Sequence, residues 1–122
     1  MAYSIDLSGR VAFVTGASSG LGAQFAKVLS RSGAAVVHMT KAFALEWGRF
    51  GINVNALCPG YIDTEINHHH WQTEQGQKLV QMLPRKRVGK PEDLDAALLM
   101  LASDRSHFIN GAIISADDGF SL

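Results

Sequence analysis

The chain has 122 residues, and its 11 Lys+Arg balance its 11 Asp+Glu, so the formal net charge is zero. That balance excludes the basic surface of a non-specific nucleic-acid binder, and a hydrophobic fraction of 47% excludes a disordered composition. No apolar run approaches the roughly 18 residues of a membrane span, and one cysteine, Cys58, cannot form an internal disulfide. We expect a single cytoplasmic α/β domain over residues 1–122, with neither a nucleic-acid nor a membrane partner.

The N-terminal part combines a strand, a glycine-rich turn and a helix. Val11 to Thr15 is an apolar run rich in β-branched residues, typical of a parallel strand covered on both faces. The turn TGASSGLG follows, in which Gly16 permits a sharp bend while Gly20 and Gly22 permit close approach to a ligand. Since a helix N-terminus favours phosphate, the pattern predicts dinucleotide binding, with a merely structural turn as the alternative.

The segment AAVVHMTKAFALEWGRFG is open to two interpretations. Ala34 to Val37 alone resembles a second strand, but no turn residue separates Val37 from Lys41. We therefore favour one helix from about Ala35 to Phe50, ended by Gly51. Its apolar stripe consists of Val36, Met39, Phe43 and Trp47.

The next segment predicts a second buried strand from Ile52 to Leu57, closed by Pro59-Gly60. Residues Tyr61 to Gln77 are polar and predict a loop with a short helix. Lys78 to Leu83 is helical in pattern, up to Pro84.

The C-terminal part predicts a helix and a last strand. Pro91 suits the first helical position, and the two following acidic residues complement the helix dipole. Gly111 to Ser115 is the predicted strand, after which Asp117-Asp118-Gly119 turns the chain away. The stripe of the helix consists of Leu94, Leu98 and Leu101.

Four motifs in this order, TGASSGLG, GINVNALCPGYIDTE, RVGKPEDL and FINGAIISADDG, resemble the classical short-chain dehydrogenase/reductase family. The resemblance implies a Rossmann-type fold in which NAD or NADP exchanges a hydride with an alcohol or carbonyl carbon. We expect a reduced form of that fold, with about three parallel strands and flanking helices in one dinucleotide-binding domain.

The resemblance also implies which residues contact the cofactor. It places Pro59, Gly60, Ile62 and Thr64 beside the nicotinamide carboxamide. Six residues of the turn are expected to contact the adenosine-pyrophosphate half of the cofactor, of which Gly20 is named from the glycine pattern of the turn. They are Gly16, Ser18, Ser19, Gly20, Leu21 and Gly22.

The catalytic residues of the family are missing from the sequence. Neither of the two tyrosines begins a Tyr-x-x-x-Lys pair, because Leu7 follows Tyr3 by four residues and Glu65 follows Tyr61 by four. The family's catalytic Ser and its Asn-Asn-Ala-Gly segment are absent too. We therefore name no catalytic residue and expect weakened cofactor binding.

The missing part can be located at AAVV, which resembles both the family's second strand and the continuation of its catalytic helix. Aligned on that helix, Leu29 stands where the catalytic Tyr would be and Gly33 where its Lys would be. Ser32 matches only the small residue before the Lys. Without a proton donor and its cation, hydride transfer should be slower by many orders of magnitude.

Other chemistry-bearing residues have simpler interpretations. Tyr61 lacks a partner cation and is interpreted as a loop aromatic, Lys41 as a solvated helix residue and Cys58 as a small core residue. Three consecutive histidines cannot all face one ion, so we predict no functional metal site at residues 68–70. A solvated loop is the interpretation of the basic residues Arg85, Lys86, Arg87 and Lys90.

Three hypotheses for function follow. The chain is an NAD(P)-dependent alcohol or ketone oxidoreductase by lineage, a non-catalytic nucleotide-binding or subunit-interaction module, or a functionless product of internal deletion. The partner implied by the family is a small carbonyl or alcohol substrate. We also expect a homo-oligomer, formed through the 91–102 helix and the 111–115 strand.

Overall fold

A computed structural model describes residues 36–121 of the chain. The predicted strand Val11–Thr15 and the glycine-rich turn lie outside the described residues. Within the described range, no helix is long and apolar enough to cross a bilayer. The elements in chain order are α1 (36–47), a 3₁₀ turn (Gly48–Phe50), β1 (Ala56–Pro59), α2 (His68–Trp71), α3 (Glu74–Met82), a 3₁₀ turn (Pro91–Leu94), α4 (Asp95–Ala102), a 3₁₀ turn (Asp104–Ser106) and β2 (Ile113–Ala116).

The helix predicted over 35–50 is confirmed where the structure describes it. The α-helical part is followed by the 3₁₀ turn, and Gly51 ends it in the left-handed region at φ 75°, its N–H donating to Gly48 O at 3.0 Å. The predicted apolar stripe is only partly correct, because Met39 is 41% exposed. The buried residues of α1 are instead Thr40 and Ala44, four positions apart on one face.

The two described strands are parallel. Ala56 pairs with Ile113 and Pro59 with Ala116, in continuous register. Helices lie before and between the two strands, so the described part is α/β, as predicted. The predicted third strand falls outside the described residues.

Both predicted strands are placed too early in the chain. The predicted Ile52–Leu57 is observed as Ala56–Pro59, and the predicted Gly111–Ser115 as Ile113–Ala116. Residues 52–55 belong to no strand, and Gly111 has φ 75°, which no regular strand accommodates. Apolar composition alone does not report where backbone pairing begins.

The side chains of Asn55 and Asn110 join the segments that precede the paired residues of β1 and β2. We call these two residues the asparagine clamp. Asn110 Oδ1 accepts from Val54 N at 2.9 Å, and its Nδ2 donates to Ala44 O at 2.9 Å. Asn55 Nδ2 donates to Ile109 O at 3.0 Å, and its Oδ1 accepts from the backbone N of residue 112 at 2.9 Å. The clamp therefore joins α1, the segment before β1 and the segment before β2.

The two later helices also differ from their predicted bounds. Helix α3 begins at Glu74 rather than Lys78, because Thr73 caps it by accepting from Gly76 N at 3.0 Å. Pro91 does start the next element, but its first turn is 3₁₀ and the α-helix begins at Asp95. The predicted leucine stripe of α4 contributes no buried residue. The buried apolar residues of the described part are Ala44, Ala56, Trp71 and Leu83.

Candidate functional site

The candidate site lies beyond the carboxyl ends of β1 and β2. In parallel α/β sheets this edge is where ligands bind, because loops there leave a crevice beside the strand ends. Two segments meet at this edge: residues 59–64 after β1 and residues 116–121 after β2. Pro59, Gly60, Ile62 and Thr64, four of the predicted cofactor residues, all lie on the first segment.

Gly60 is required by close approach. Its N–H donates to Ala116 O at 3.0 Å, which extends the β1–β2 pairing by one residue. A Cβ at position 60 would lie 2.6 Å from Asp117 Cβ and 2.7 Å from Asp117 Cα, well inside van der Waals contact. Any side chain at this position would therefore push the two segments apart.

The turn after β2 is as predicted from Asp117-Asp118-Gly119. Asp118 and Gly119 have positive φ angles, 56° and 83°. The Asp117 carboxylate accepts from Gly119 N at 3.1 Å and from Ser121 N at 3.2 Å. Hydrogen bonds, led by that of the Ser121 side chain, hold the pKa of Asp117 below its ordinary value.

Two of the basic residues predicted to be merely solvated hold this turn. Arg87 Nε and a terminal nitrogen donate to the two Asp118 carboxylate oxygens at 2.8 and 3.1 Å, a bidentate pair. Arg85 approaches the same carboxylate at 3.6 Å. Hydrogen bonding to Arg87 lowers the pKa of Asp118. The prediction missed this contact because the two residues are 31 positions apart.

The backbone of residues 61–63 lies beside Gly89 and runs in the same direction as the chain at that residue. Ile62 and Gly89 form an isolated bridge, in which Gly89 N donates to Tyr61 O and Asp63 N donates to Gly89 O, both at 2.8 Å. A Cβ on Gly89 would lie 2.7 Å from Ile62 Cδ1. The bridge fixes the backbone of Ile62, a predicted cofactor residue, from one side.

The Asn67 side chain fixes the same segment from the other side. Its Oδ1 accepts from Thr64 N at 2.7 Å and from the Thr64 hydroxyl at 3.1 Å. Its Nδ2 donates to Ile62 O at 2.8 Å. Asn67 was not among the predicted site residues; its signal in the sequence is an Asn three residues after Thr in a turn-rich segment.

Aromatic rings surround the start of the segment. The Tyr61 ring makes edge contacts with Trp71 and Phe120, with centroids 5.9 and 5.1 Å apart. Trp71 is buried, and its Nε1 donates to Asn67 Oδ1 at 3.3 Å. These contacts agree with the interpretation of Tyr61 as a packed loop aromatic.

The histidine run begins helix α2. His68 Nδ1 lies 2.9 and 3.0 Å from the two carboxylate oxygens of Asp63, and His68 Nε2 lies 3.2 Å from the Gln72 side-chain nitrogen. Both ring nitrogens of His68 are therefore engaged by protein groups. No cluster of three or more His, Cys, Asp or Glu side chains suited to a metal ion occurs within residues 36–121.

Cys58 lies in β1 opposite Ser115 and is half-buried. Burial, followed by the nearby Asp117 charge, raises the pKa of its thiol. A raised pKa disfavours the nucleophilic thiolate. Cys58 was predicted to be a small core residue, and the structure places it in β1 with its side chain half-buried.

The remaining predicted cofactor residues lie outside the described range: Gly16, Ser18, Ser19, Gly20, Leu21 and Gly22. The structure therefore presents one half of the predicted cofactor site. In that half, the segment supplies one acceptor, Ile62 O, and two donors, the backbone N and the hydroxyl of Thr64, and all three bond to the Asn67 side chain.

Comparison with known proteins identifies relatives of the chain. Residues 5–121 match the family model described as enoyl-(acyl carrier protein) reductase. The NAD-dependent glycerol dehydrogenase of Listeria innocua is 37% identical over 91 residues, which cover 75% of this chain and 36% of that protein. The galactitol 2-dehydrogenase (L-tagatose-forming) of Cereibacter sphaeroides is 38% identical over 100 residues, covering 81% and 39%.

The chain is also similar to solved protein structures. A variant of a Serratia marcescens short-chain dehydrogenase/reductase superposes with a TM-score of 0.71 at 36% identity, covering 80% of this chain and 39% of that one. An Agrobacterium tumefaciens structure with bound NADP gives 0.68 at 32% identity, covering 76% and 38%. The chain thus spans well under half the length of these relatives.

Proposed function

This chain belongs to the short-chain dehydrogenase/reductase family, and we propose that it binds NAD or NADP weakly without turning over an alcohol or ketone by itself. In this proposal it is an oxidoreductase by lineage that retains the nicotinamide side of the cofactor site. We also propose that residues 1–122 form one domain and that the chain is cytoplasmic. The support for the location is that a single cysteine cannot form the internal disulfides typical of oxidising compartments.

One observation carries the binding proposal: the 59–64 segment is complementary to a primary carboxamide. Such a group has an oxygen that accepts hydrogen bonds and an NH₂ that donates them. The segment offers donors at Thr64 N and Thr64 Oγ1 and an acceptor at Ile62 O, and a side-chain carboxamide, that of Asn67, is held by all three. The nicotinamide ring carries the same functional group, so the residues present fit it.

The pattern of residues supports binding without turnover. When bound, the cofactor supplies the hydride, and the protein must then move a proton to or from the substrate oxygen. Tyr61 and Tyr3 lack the Lys that the family places four residues later. The Tyr61 ring is packed against Trp71 and Phe120, which supports a structural role.

The test is a titration with NADH and NADPH followed by energy transfer from tryptophan. Trp71 is in contact with the candidate site through Asn67 and Tyr61, whereas Trp47 is stacked on Phe43 in α1. A Trp47→Phe variant therefore isolates the relevant signal. We expect saturable quenching with a dissociation constant in the upper micromolar to millimolar range.

Two results would remove the proposal. Absence of saturable binding of both cofactors at millimolar concentration removes the binding part and leaves the hypothesis of a functionless deletion product. Reduction of any ketone by a preparation free of host dehydrogenases removes the inactivity part.

A second candidate is a subunit-interaction module, and one observation favours it. Leu98, Leu99 and Met100 of α4 are 43%, 39% and 41% exposed, although the helix is mostly apolar. We propose that the segments over residues 91–102 and 111–115, which contain α4 and most of β2, pair with a second copy of the chain.

A further inference from the structure

We propose that Asn67 is a built-in occupant of the carboxamide site, which an arriving nicotinamide must displace from Thr64 and Ile62. The inference rests on the proposed cofactor binding and deepens it. It assigns Asn67 a competing role, opposite to that of a residue that helps the cofactor to bind.

The chemistry of the Asn67 contacts supports this assignment. The side chain forms its three contacts with the 62–64 backbone and the Thr64 hydroxyl at 2.7, 2.8 and 3.1 Å. Each contact uses an atom of the amide group, and together they use both its accepting and its donating end. A nicotinamide carboxamide offers the same two ends, so both groups cannot be satisfied by Thr64 and Ile62 at once.

The position of Asn67 also allows its side chain to move away from Thr64. Thr64 is exposed, and Asn67 is only half-buried at the residue before α2. Helix α2 has four residues, and so short a helix adds little to hold its first residue in place. Its Oδ1 is shared by three donors, including Trp71 Nε1 at 3.3 Å, although a carbonyl oxygen has two lone pairs. Rotation of the side chain would release Thr64 without moving β1.

An internal competitor raises the apparent dissociation constant by a factor equal to the reciprocal of the fraction of molecules in which the site is open. Because Asn67 is tethered three residues from Thr64, its effective concentration is high. Removing the amide should therefore tighten cofactor binding. If Asn67 instead only positioned the segment, its removal should weaken binding.

The experiment titrates NAD, its nicotinic acid analogue (a carboxylate in place of the carboxamide) and ADP-ribose into the full chain by calorimetry. The variants are Asn67→Ala, which empties the site, and Asn67→Asp, which keeps an oxygen for Thr64. Gln72→Ala is the matched control, since it removes an amide that contacts His68 rather than the 59–64 segment.

We expect Asn67→Ala to lower the dissociation constant of NAD by about tenfold, the equivalent of one or two net hydrogen bonds. The gain should be smaller for the nicotinic acid analogue and absent for ADP-ribose, which has no carboxamide. Asn67→Asp keeps an oxygen for Thr64 but loses the donor to Ile62 O, so its gain should be smaller than that of Asn67→Ala. Gln72→Ala should bind NAD no more tightly than the unaltered chain.

A dissociation constant for NAD that is unchanged or higher in Asn67→Ala overturns the inference and leaves the proposed cofactor binding intact. Failure of every form of the chain to bind NAD overturns the proposed binding itself. The unaltered chain provides an independent readout if Asn67→Ala does not fold. Saturating NAD should shift the side-chain amide resonances of Asn67 and speed their hydrogen exchange, and resonances that stay in place overturn the inference.

Discussion

At the scale of single residues, Gly60 has the most restricted environment of the candidate site. A Cβ there would meet the Cα and Cβ of Asp117, atoms that cannot rotate away. We predict that Gly60→Ala lowers the free energy of unfolding by about 1–3 kcal/mol, the usual cost of overpacking. Urea denaturation is the measurement.

Gly48→Ala is the matched control for Gly60→Ala. A Cβ at position 48 would meet only Asn110 Nδ2, at an ordinary 3.6 Å. If both substitutions have the same effect on stability, the close approach of Gly60 to Asp117 is not what requires glycine at position 60.

Ionisation of the Asp118 carboxyl group should make the stability of the folded chain depend on pH in the acid range. Its pKa is lowered in the folded chain, mainly by hydrogen bonding to Arg87. Folding is therefore favoured while Asp118 is ionised: the contribution is complete above its unfolded pKa of about 3.9 and is lost as pH falls through the lower folded pKa. We predict that Asp118→Asn loses less stability than the unaltered chain when pH falls below about 4.

This prediction is measured by urea midpoints at a series of pH values. Asparagine tolerates the positive φ of residue 118, so the backbone of the turn is preserved. Glu46→Gln removes an exposed carboxyl group on α1 as the control. Parallel pH profiles for Asp118→Asn and the unaltered chain would contradict the prediction.

At the scale of elements, side-chain amides act together with the backbone bond from Gly111 N to Val54 O in joining the segments before β1 and β2. Asn110 bonds to two different segments, at Val54 N and Ala44 O. We predict that Asn110→Ala lowers the free energy of unfolding by about 1–3 kcal/mol, because two backbone groups lose their partner. Chemical denaturation measures the loss.

Asn110→Asp separates the two bonds, since it keeps an acceptor for Val54 but places an oxygen against Ala44 O. It should also destabilise the chain, whereas Gln75→Ala, at an exposed position of α3, should have little effect. A stable Asn110→Asp variant would show that the bond to Ala44 contributes nothing.

The same scale shows what the sequence can predict. The helix over residues 36–47 was predictable because its apolar spacing and Gly51 are local signals. The strand starts were not, since the side chains of Asn55 and Asn110 bond to backbone groups more than 50 positions away. Asn53 does the same, donating to His107 O at 2.9 Å. The early start of α3 depends on the cap formed by Thr73, which lies in the segment predicted as a loop with a short helix. In the site, Pro59, Gly60, Ile62 and Thr64 were named through family resemblance, whereas the Asn67 contacts required coordinates.

At the scale of the whole molecule, the described part buries few large apolar side chains. None of its large residues is fully buried, and Ile66, Phe108 and Leu45 are 96%, 95% and 87% exposed. A two-stranded parallel sheet with so little covered surface gains stability from additional contacts. Self-association through α4 is the form of contact that we propose.

We predict a concentration-dependent increase in sedimentation coefficient that Leu98→Glu reduces. Leu98 is 43% exposed on α4, so a charge there should disrupt a paired apolar face without a large cost to the monomer. Ile66→Glu is the control, because Ile66 is more exposed but lies outside the proposed interface. Equal effects of the two substitutions would indicate non-specific aggregation.

The clamp residue Asn110 is followed by Gly111, a sequence prone to deamidation because glycine leaves the asparagine side chain open to attack by the next backbone nitrogen. Asparagine is among the thermolabile residues for this reason. Hydrolysis of that one amide would turn the donor that faces Ala44 O into an acceptor. In the folded chain the attacking Gly111 N donates to Val54 O at 2.8 Å, so deamidation should proceed from unfolded molecules. On refolding, the altered chains should have a weaker connection between the first helix and the segment before β2.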